Sequence, residues 1–190
     1  MDRRVTTARI AIVSSLTTLL AGLAFSTPAA AQWRMPDDLT VAAANGSRHK
    51  VQKLELNAGW MQQEPLWQGQ NWRLRLRHEA VLGQWRVPEA RNITELGYSP
   101  VLRLESSGMA GTFFVEASIG VRLLSHTWLS QRNTLSTAFQ FADMAGVGVQ
   151  WGQGPGAQTV GLRFQHQSNA DIKKPNPGIN FIMLYYRYTF

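Results

Sequence analysis

A histidine and a serine stand two residues apart near the C-terminal end of the chain, at His166 and Ser168. Residues i and i+2 of a β-strand point to the same face, so a strand here places the imidazole beside the hydroxyl. A serine hydroxyl becomes an effective nucleophile when an adjacent base removes its proton, and histidine does this near neutral pH. Leu162 and Phe164 lie in phase with the pair, so the pattern indicates chemistry only on a substrate that is itself a lipid.

The N-terminus has the three-part layout of a secretory signal peptide. Three arginines within the first nine residues precede a mainly apolar run over residues 10–25, and an Ala-x-Ala cleavage site ends at Ala31. We therefore expect residues 1–31 to be a signal peptide and residues 32–190 to form a single mature domain.

Composition narrows the classes of partner and cofactor. Residues 1–31 contain three of the 19 basic and one of the 12 acidic residues, so the mature chain has 16 and 11, a net charge near +5. An exported basic chain fits an anionic partner such as lipopolysaccharide or a membrane surface.

The chain has no cysteine, and its four histidines lack metal-ligand spacing; we predict no disulfide, no metal site and no cofactor. The arginines alternate with apolar residues in strand phase, which predicts an interior network and no nucleic-acid partner.

Polar and apolar residues alternate from residue 38 onward, in eight segments that are separated by turn-forming residues. In each segment one face is apolar and the other is polar or charged; Leu54 and Leu56, for example, oppose Lys53 and Glu55. The predicted strands cover residues 38–45, 52–62, 71–84, 93–106, 112–123, 137–151, 157–167 and 179–190.

Two kinds of barrel use this alternation. A soluble, lipocalin-like barrel places the apolar face inside, whereas a membrane barrel turns it toward lipid and has a polar interior. Charges of both signs, aromatic residues near strand ends and the terminal Phe190 favour the second. We predict an all-β, eight-stranded antiparallel transmembrane β-barrel with a polar interior, in the bacterial outer membrane. With both termini on the periplasmic side, His166 and Ser168 lie at the outer end of the seventh strand.

The segment His-x-Ser-Asn-Ala followed by Ile-Lys-Lys-Pro-Asn-Pro-Gly-Ile-Asn, within residues 161–182, resembles the signature of the lipid A 3-O-deacylase (PagL) family. Members of that family are eight-stranded outer-membrane barrels that hydrolyse the ester-linked acyl chain at position 3 of lipid A. The resemblance implies that Ser168 is the nucleophile and His166 the general base. It also places Asn169 and Asn176 near the oxyanion site, with Asn176 the better candidate.

The chain departs from the family pattern at Asn180, where the resemblance implies a glutamate as the third catalytic residue. An asparagine carbonyl oxygen can orient a histidine, but it supplies no charge for the imidazolium. Asp143 is our candidate for a substitute acid, because it interrupts the apolar face of the sixth strand and should lie near His166. A charged residue on a lipid-facing surface is costly and usually functional. Asp171, in the loop after Ser168, is a second candidate.

The resulting interpretation is a carboxylic ester hydrolase that acts on lipid A, with its substrate arriving by lateral diffusion through outer-membrane lipid. Lys173 and Lys174 are candidate substrate-binding residues for lipid A phosphates, with a merely solvated loop as the alternative. A non-enzymatic barrel for adhesion or structure stays open as the other function because of Asn180. The sequence leaves open whether the protein is a homodimer.

Overall fold

The structure is a computed structural model that describes residues 34–108 and 111–190. The expected signal peptide lies outside the described residues, so its removal stays a prediction. Within the described residues, no helix is long and apolar enough to cross a bilayer.

Eight long strands make up the fold, and each bound lies within two residues of the predicted one. In chain order they are β1 (Asp38–Gly46), β2 (Gln52–Met61), β4 (Trp72–Arg86), β5 (Ile93–Gly108), β6 (Gly111–Leu124), β9 (Phe139–Trp151), β10 (Gln158–Ser168) and β11 (Ile179–Thr189). Three short strands were not predicted: β3 (Trp67–Gln68), β7 (Trp128–Ser130) and β8 (Asn133–Thr134). β3 extends the sheet beside β4, and β7 pairs with β8 in a small hairpin.

The long strands close into an antiparallel barrel. Each pairs with its neighbours along the chain, β2 pairs with β4, and β1 pairs with β11 to join the two ends of the sheet. Closure leaves none of the eight strands with a free edge. The connections 47–51, 87–92, 125–138 and 169–178 all lie at one end of the barrel, which we call the loop end; the chain enters β1 and leaves β11 at the other.

The outer surface of the barrel is apolar. Every long strand points at least one exposed aliphatic side chain outward: Val41, Leu54, Leu82, Leu96, Val115, Val147, Leu162 and Leu184. This is the arrangement of a membrane barrel, in which the outward face contacts lipid. The lipocalin-like alternative is therefore wrong, because it requires these side chains to point inward.

The interior holds the charged faces of the strands, as predicted. Among the described residues, the buried charged side chains are six acids (Asp38, Glu55, Glu79, Glu95, Glu105 and Glu116) and six bases (Lys53, Arg77, Arg103, Arg122, Arg163 and Arg187). Glu79 lies at the centre of this set. It accepts two hydrogen bonds from Arg163, at 2.7 and 2.9 Å, one from Arg187 at 3.3 Å, and one from Arg77.

A second, apolar cluster lies at the loop end, and the alternation did not predict it. It includes Trp85 and Ile93 from the strand ends, together with Leu129 and Leu135, which the β6–β9 connection contributes. The interior is thus ionic along most of its length and apolar beneath the loops. This cluster supports the β6–β9 connection, which in turn contacts the loop after Ser168.

Replacing Glu79 with alanine tests the ionic interior. The substitution leaves three buried guanidinium groups without a common acceptor, and breaking a buried ion pair costs about 3–5 kcal/mol. We expect the free energy of unfolding, measured by urea titration of the barrel in lipid vesicles, to fall by about that amount. Glu89→Ala is the matched control, because Glu89 is 56% exposed and pairs only loosely with His49 at 3.5 Å. A surface pair contributes at most about 1 kcal/mol, so equal losses in both variants would contradict the prediction.

Candidate active site

His166 and Ser168 lie at the loop end of β10, on its outward face. Both side chains are partly buried. Leu162 and Phe164 continue the same face toward the barrel's middle and are about half exposed, at 52% and 46%. The base and the hydroxyl therefore stand directly above an apolar, lipid-facing surface.

Strand register places His166 between two polar residues. Its partner across β11 is Asn180, and its partner across β9 is Asp143. Side chains at directly opposed positions of neighbouring strands point to the same face and lie close together. Asn180 and Asp143, the two residues predicted as candidates for orienting the imidazole, thus lie on opposite sides of it.

The contact with Asn180 is a hydrogen bond. His166 Nδ1 lies 2.6 Å from Asn180 Oδ1. Since an amide oxygen only accepts, Nδ1 carries a proton and donates it, so Nε2 is the unprotonated nitrogen of the neutral ring. This is the tautomer in which Nε2 can act as a general base.

Asp143 faces His166 from the other side. Its side chain is exposed on the outward face of β9, directly across the β9–β10 strand pair from His166. Asp171, the second carboxylate considered, lies instead in the loop, where its Oδ1 accepts a hydrogen bond from Asn176 Nδ2 at 3.2 Å. Of the two acids, Asp143 is the one that strand register places beside the base.

The β1–β2 connection holds Asn180 in place through Ser47, a residue that sequence reasoning missed. The Ser47 N–H donates to the Asn180 carbonyl oxygen at 2.8 Å, and the Asn180 N–H donates to Ser47 Oγ at 3.1 Å. These two bonds continue the β1–β11 pairing one step past its last ladder pair, Gly46 with Phe181. No sequence signal marked Ser47, because its position depends on which strands become neighbours.

Asn169 is fully buried and holds the loop that follows Ser168. Its Nδ2 donates to Lys173 O at 2.7 Å and to Leu135 O at 3.2 Å, so both amide hydrogens are used. Its backbone N–H donates to Asn176 Oδ1 at 3.1 Å. Asn176 donates one hydrogen of its side-chain amide to Asp171, so the other amide hydrogen is available to a ligand.

Lys173 and Lys174 are exposed in the same loop. A further hydrogen bond, from Ser136 Oγ to Pro175 O at 2.6 Å, joins this loop to the β6–β9 connection. The lysines thus project from a loop that is fixed at several points, although they do not line the cleft beside His166.

Gly178 makes room for the imidazole. Its φ is +56°, and a Cβ at this position would lie 2.8 Å from His166 Cε1 and 3.3 Å from Nε2. A side chain there would displace the ring from the position in which Nδ1 meets Asn180.

A cleft of about 330 Å³ opens beside the base. Its lining residues are Ser47, Arg48, His166, Pro177, Gly178, Ile179 and Asn180. A base of defined tautomer thus lines a cleft at the edge of an apolar surface, and the candidate nucleophile stands two residues along the same strand face. This arrangement suits attack on the ester of an amphipathic lipid.

Replacing Gly178 with alanine should displace His166 and slow activation of Ser168. The rate at which a fluorophosphonate probe labels Ser168 in the detergent-solubilised protein measures this activation. We expect a decrease of about tenfold or more, because small displacements of a catalytic group can cost up to ~10²-fold.

Gly154→Ala is the matched control. Gly154 also has a positive φ, of 63°, but no atom lies within 4 Å of the position that a Cβ would take there. Both variants carry the cost of a left-handed alanine, about 1–2 kcal/mol, yet only Gly178→Ala should slow labelling. Equal labelling rates would show that Gly178 does not position the imidazole.

The chain is similar to known proteins both in sequence and in structure. The model of the family described as Lipid A 3-O-deacylase (PagL) matches residues 52–189. Lipid A deacylase PagL of Bordetella bronchiseptica is 32% identical over 123 residues, which are 64% of this chain and 67% of that protein. Lipid A deacylase PagL of Pseudomonas aeruginosa is 31% identical over 147 residues, or 77% and 83% of the two chains. A crystal structure of the outer membrane enzyme PagL matches with a TM-score of 0.73 and 29% identity, covering 80% of this chain and 99% of that one.

Proposed function

Because the chain belongs to the lipid A 3-O-deacylase (PagL) family, we propose that it removes the ester-linked acyl chain at position 3 of lipid A in the bacterial outer membrane. The family resemblance seen in residues 161–182 is confirmed by the match over residues 52–189. The observation that carries the proposal is the His166–Ser168 pair on the apolar outer face of the barrel. A lipid substrate reaches such a site by diffusing within the membrane.

Ser168 is the nucleophile in this mechanism. Its Oγ attacks the ester carbonyl carbon while His166 Nε2 takes the hydroxyl proton. The tetrahedral intermediate collapses, His166 returns the proton to the departing sugar oxygen, and the acyl group stays on Ser168. His166 then activates a water molecule that hydrolyses this acyl-enzyme and releases the fatty acid.

The oxyanion of each tetrahedral intermediate needs hydrogen-bond donors. Asn176 fits this role, because one of its amide hydrogens is not used in the loop. Asn169, the other candidate, acts by holding the loop, since Lys173 O and Leu135 O take both of its amide hydrogens. Its contribution to the oxyanion site is then the placement of Asn176, whose Oδ1 its backbone N–H holds.

In this mechanism Asn180 and Asp143 together replace the single catalytic glutamate that the family resemblance implies. Asn180 fixes the tautomer and orientation of His166 through the 2.6 Å contact. Asp143 supplies the negative charge that stabilises the imidazolium while His166 holds the proton. Lys173 and Lys174 contribute positive charge on the loop side of the site, where the phosphorylated headgroup of lipid A lies. The route uses protein groups and water alone.

Mass spectrometry of lipid A from cells that express the protein tests the activity. The wild type should release one 3-linked hydroxyacyl chain, and Ser168→Ala and His166→Ala should leave lipid A intact. His126→Ala is the matched control and should behave as wild type, because His126 lies in the β6–β9 connection with its Nε2 3.0 Å from Asn92 O. Unchanged lipid A from a folded, surface-located wild type, both in cells and in detergent, would contradict the proposed activity.

A double-mutant cycle tests the division of roles between Asn180 and Asp143. Asn180→Ala should lower kcat about a hundredfold, the low end of what a positioned general base contributes. Asp143→Asn removes the charge and keeps the shape, and should lower kcat about tenfold.

Asn180→Glu introduces the acid that the family resemblance implies at this position. The cycle compares the effect of Asp143→Asn in the wild type, which has Asn180, with its effect in the Asn180→Glu variant. There, Asp143→Asn should cost much less than in the wild type, because the new carboxylate already faces the imidazole. Asp171→Asn is the control and should cost the same in both backgrounds. If Asp143→Asn also costs the same in both, Asp143 does not replace the missing acid.

A further inference from the structure

We propose that Arg48 is a substrate-binding residue that contacts a phosphate of the lipid A headgroup and so holds the ester over His166 and Ser168. The inference rests on the proposed function. It gives the β1–β2 connection, which holds Asn180 through Ser47, a direct contact with the substrate as well.

The position of Arg48 is the first support. It lines the same cleft of about 330 Å³ as His166 and Asn180. Of the three successive basic residues in this connection, only Arg48 lines that cleft. His49 lies 3.5 Å from Glu89, beside a separate cleft, and Lys50 is exposed elsewhere on the turn.

The backbone that carries Arg48 is fixed relative to the base. Gly46 N donates to Val51 O at 2.7 Å, and Val51 N donates to Arg48 O at 3.1 Å, which closes the turn. The two hydrogen bonds between Ser47 and Asn180 tie this turn to β11. A cation held on such a frame binds with little loss of backbone freedom, which favours affinity.

The charge of Arg48 is available to a ligand. The six buried bases of the interior are matched by six buried acids, whereas Arg48 is exposed and forms no ion pair with any residue in the described part of the chain. A guanidinium presents paired N–H donors that match phosphate oxygens in a bidentate contact. Phosphate, the anionic group of the lipid A headgroup, therefore suits this position.

The geometry of the substrate agrees with this placement. Lipid A is a phosphorylated glucosamine disaccharide whose acyl chains extend into the membrane. With the ester at Ser168, an acyl chain can follow the exposed apolar face of Phe164 and Leu162, while the headgroup stays at the loop end. Arg48 lies at that end, where a phosphate of the same disaccharide can reach it.

Steady-state kinetics in nonionic detergent micelles test the proposal, because the substrate then carries the only phosphate present. The two substrates are lipid A and chemically dephosphorylated lipid A. For lipid A, Arg48→Gln should raise KM about tenfold or more with little change in kcat, since a hydrogen bond to a charged group is lost. Arg48→Lys should have an intermediate KM. For the dephosphorylated substrate, Arg48→Gln and wild type should have the same KM.

Lys50→Gln is the matched control, since it removes one positive charge from the same turn outside the cleft; it should leave both substrates unaffected. Fluorophosphonate labelling of Ser168 at the wild-type rate shows that the Arg48→Gln site is intact. An unchanged KM for lipid A, or an equal loss on both substrates, would overturn the phosphate contact. A wild type that releases no acyl chain from either substrate would instead overturn the proposed function, and this inference with it.

Discussion

The balance of charge inside the barrel is the constraint on which the rest of the structure depends. Six acids and six bases of the described residues are buried together, and each is tolerable only while it faces partners of opposite sign. A slip of one residue in any strand would turn its charged face toward lipid and its apolar face inward. The ionic interior therefore excludes such a slip, and the observed register sets His166 opposite both Asn180 and Asp143. The outward-facing site is positioned by residues that never contact it.

The parts of the fold that follow from the period-two alternation could be predicted from sequence. Strand positions, the face to which each side chain points, and the polar interior all depend on local pattern alone, so segments such as that from Lys53 to Leu56 were assigned correctly. The apolar cluster around Trp85 and Leu129 could not be predicted in this way. Its members come from strand ends and from a long connection, and what brings them together is closure of the barrel rather than any period in the sequence.

The candidate site, like the fold, has features that the local sequence predicts and features that it does not. The shared face of His166, Ser168 and Asn180 follows from strand phase, and the motif identifies the residue types. Contacts between distant segments do not follow from either. Ser47 was missed because its partner lies 133 positions away, and the role of Gly178 depends on the ring packed against it. Asn169 shows a related limit, since a motif match indicates a residue's place in the chain but not the direction in which its amide points.

The hydrogen bonds between Ser47 and Asn180 lie at the top of the seam where β1 meets β11. This seam joins the first and last long strands, so of all the pairings in the barrel it brings together the segments that lie farthest apart in the chain. With this seam open, Asn180 would lose both of the hydrogen bonds that anchor it to the β1–β2 connection. Closure of the barrel and anchoring of the residue that contacts His166 therefore depend on the same strand pairing.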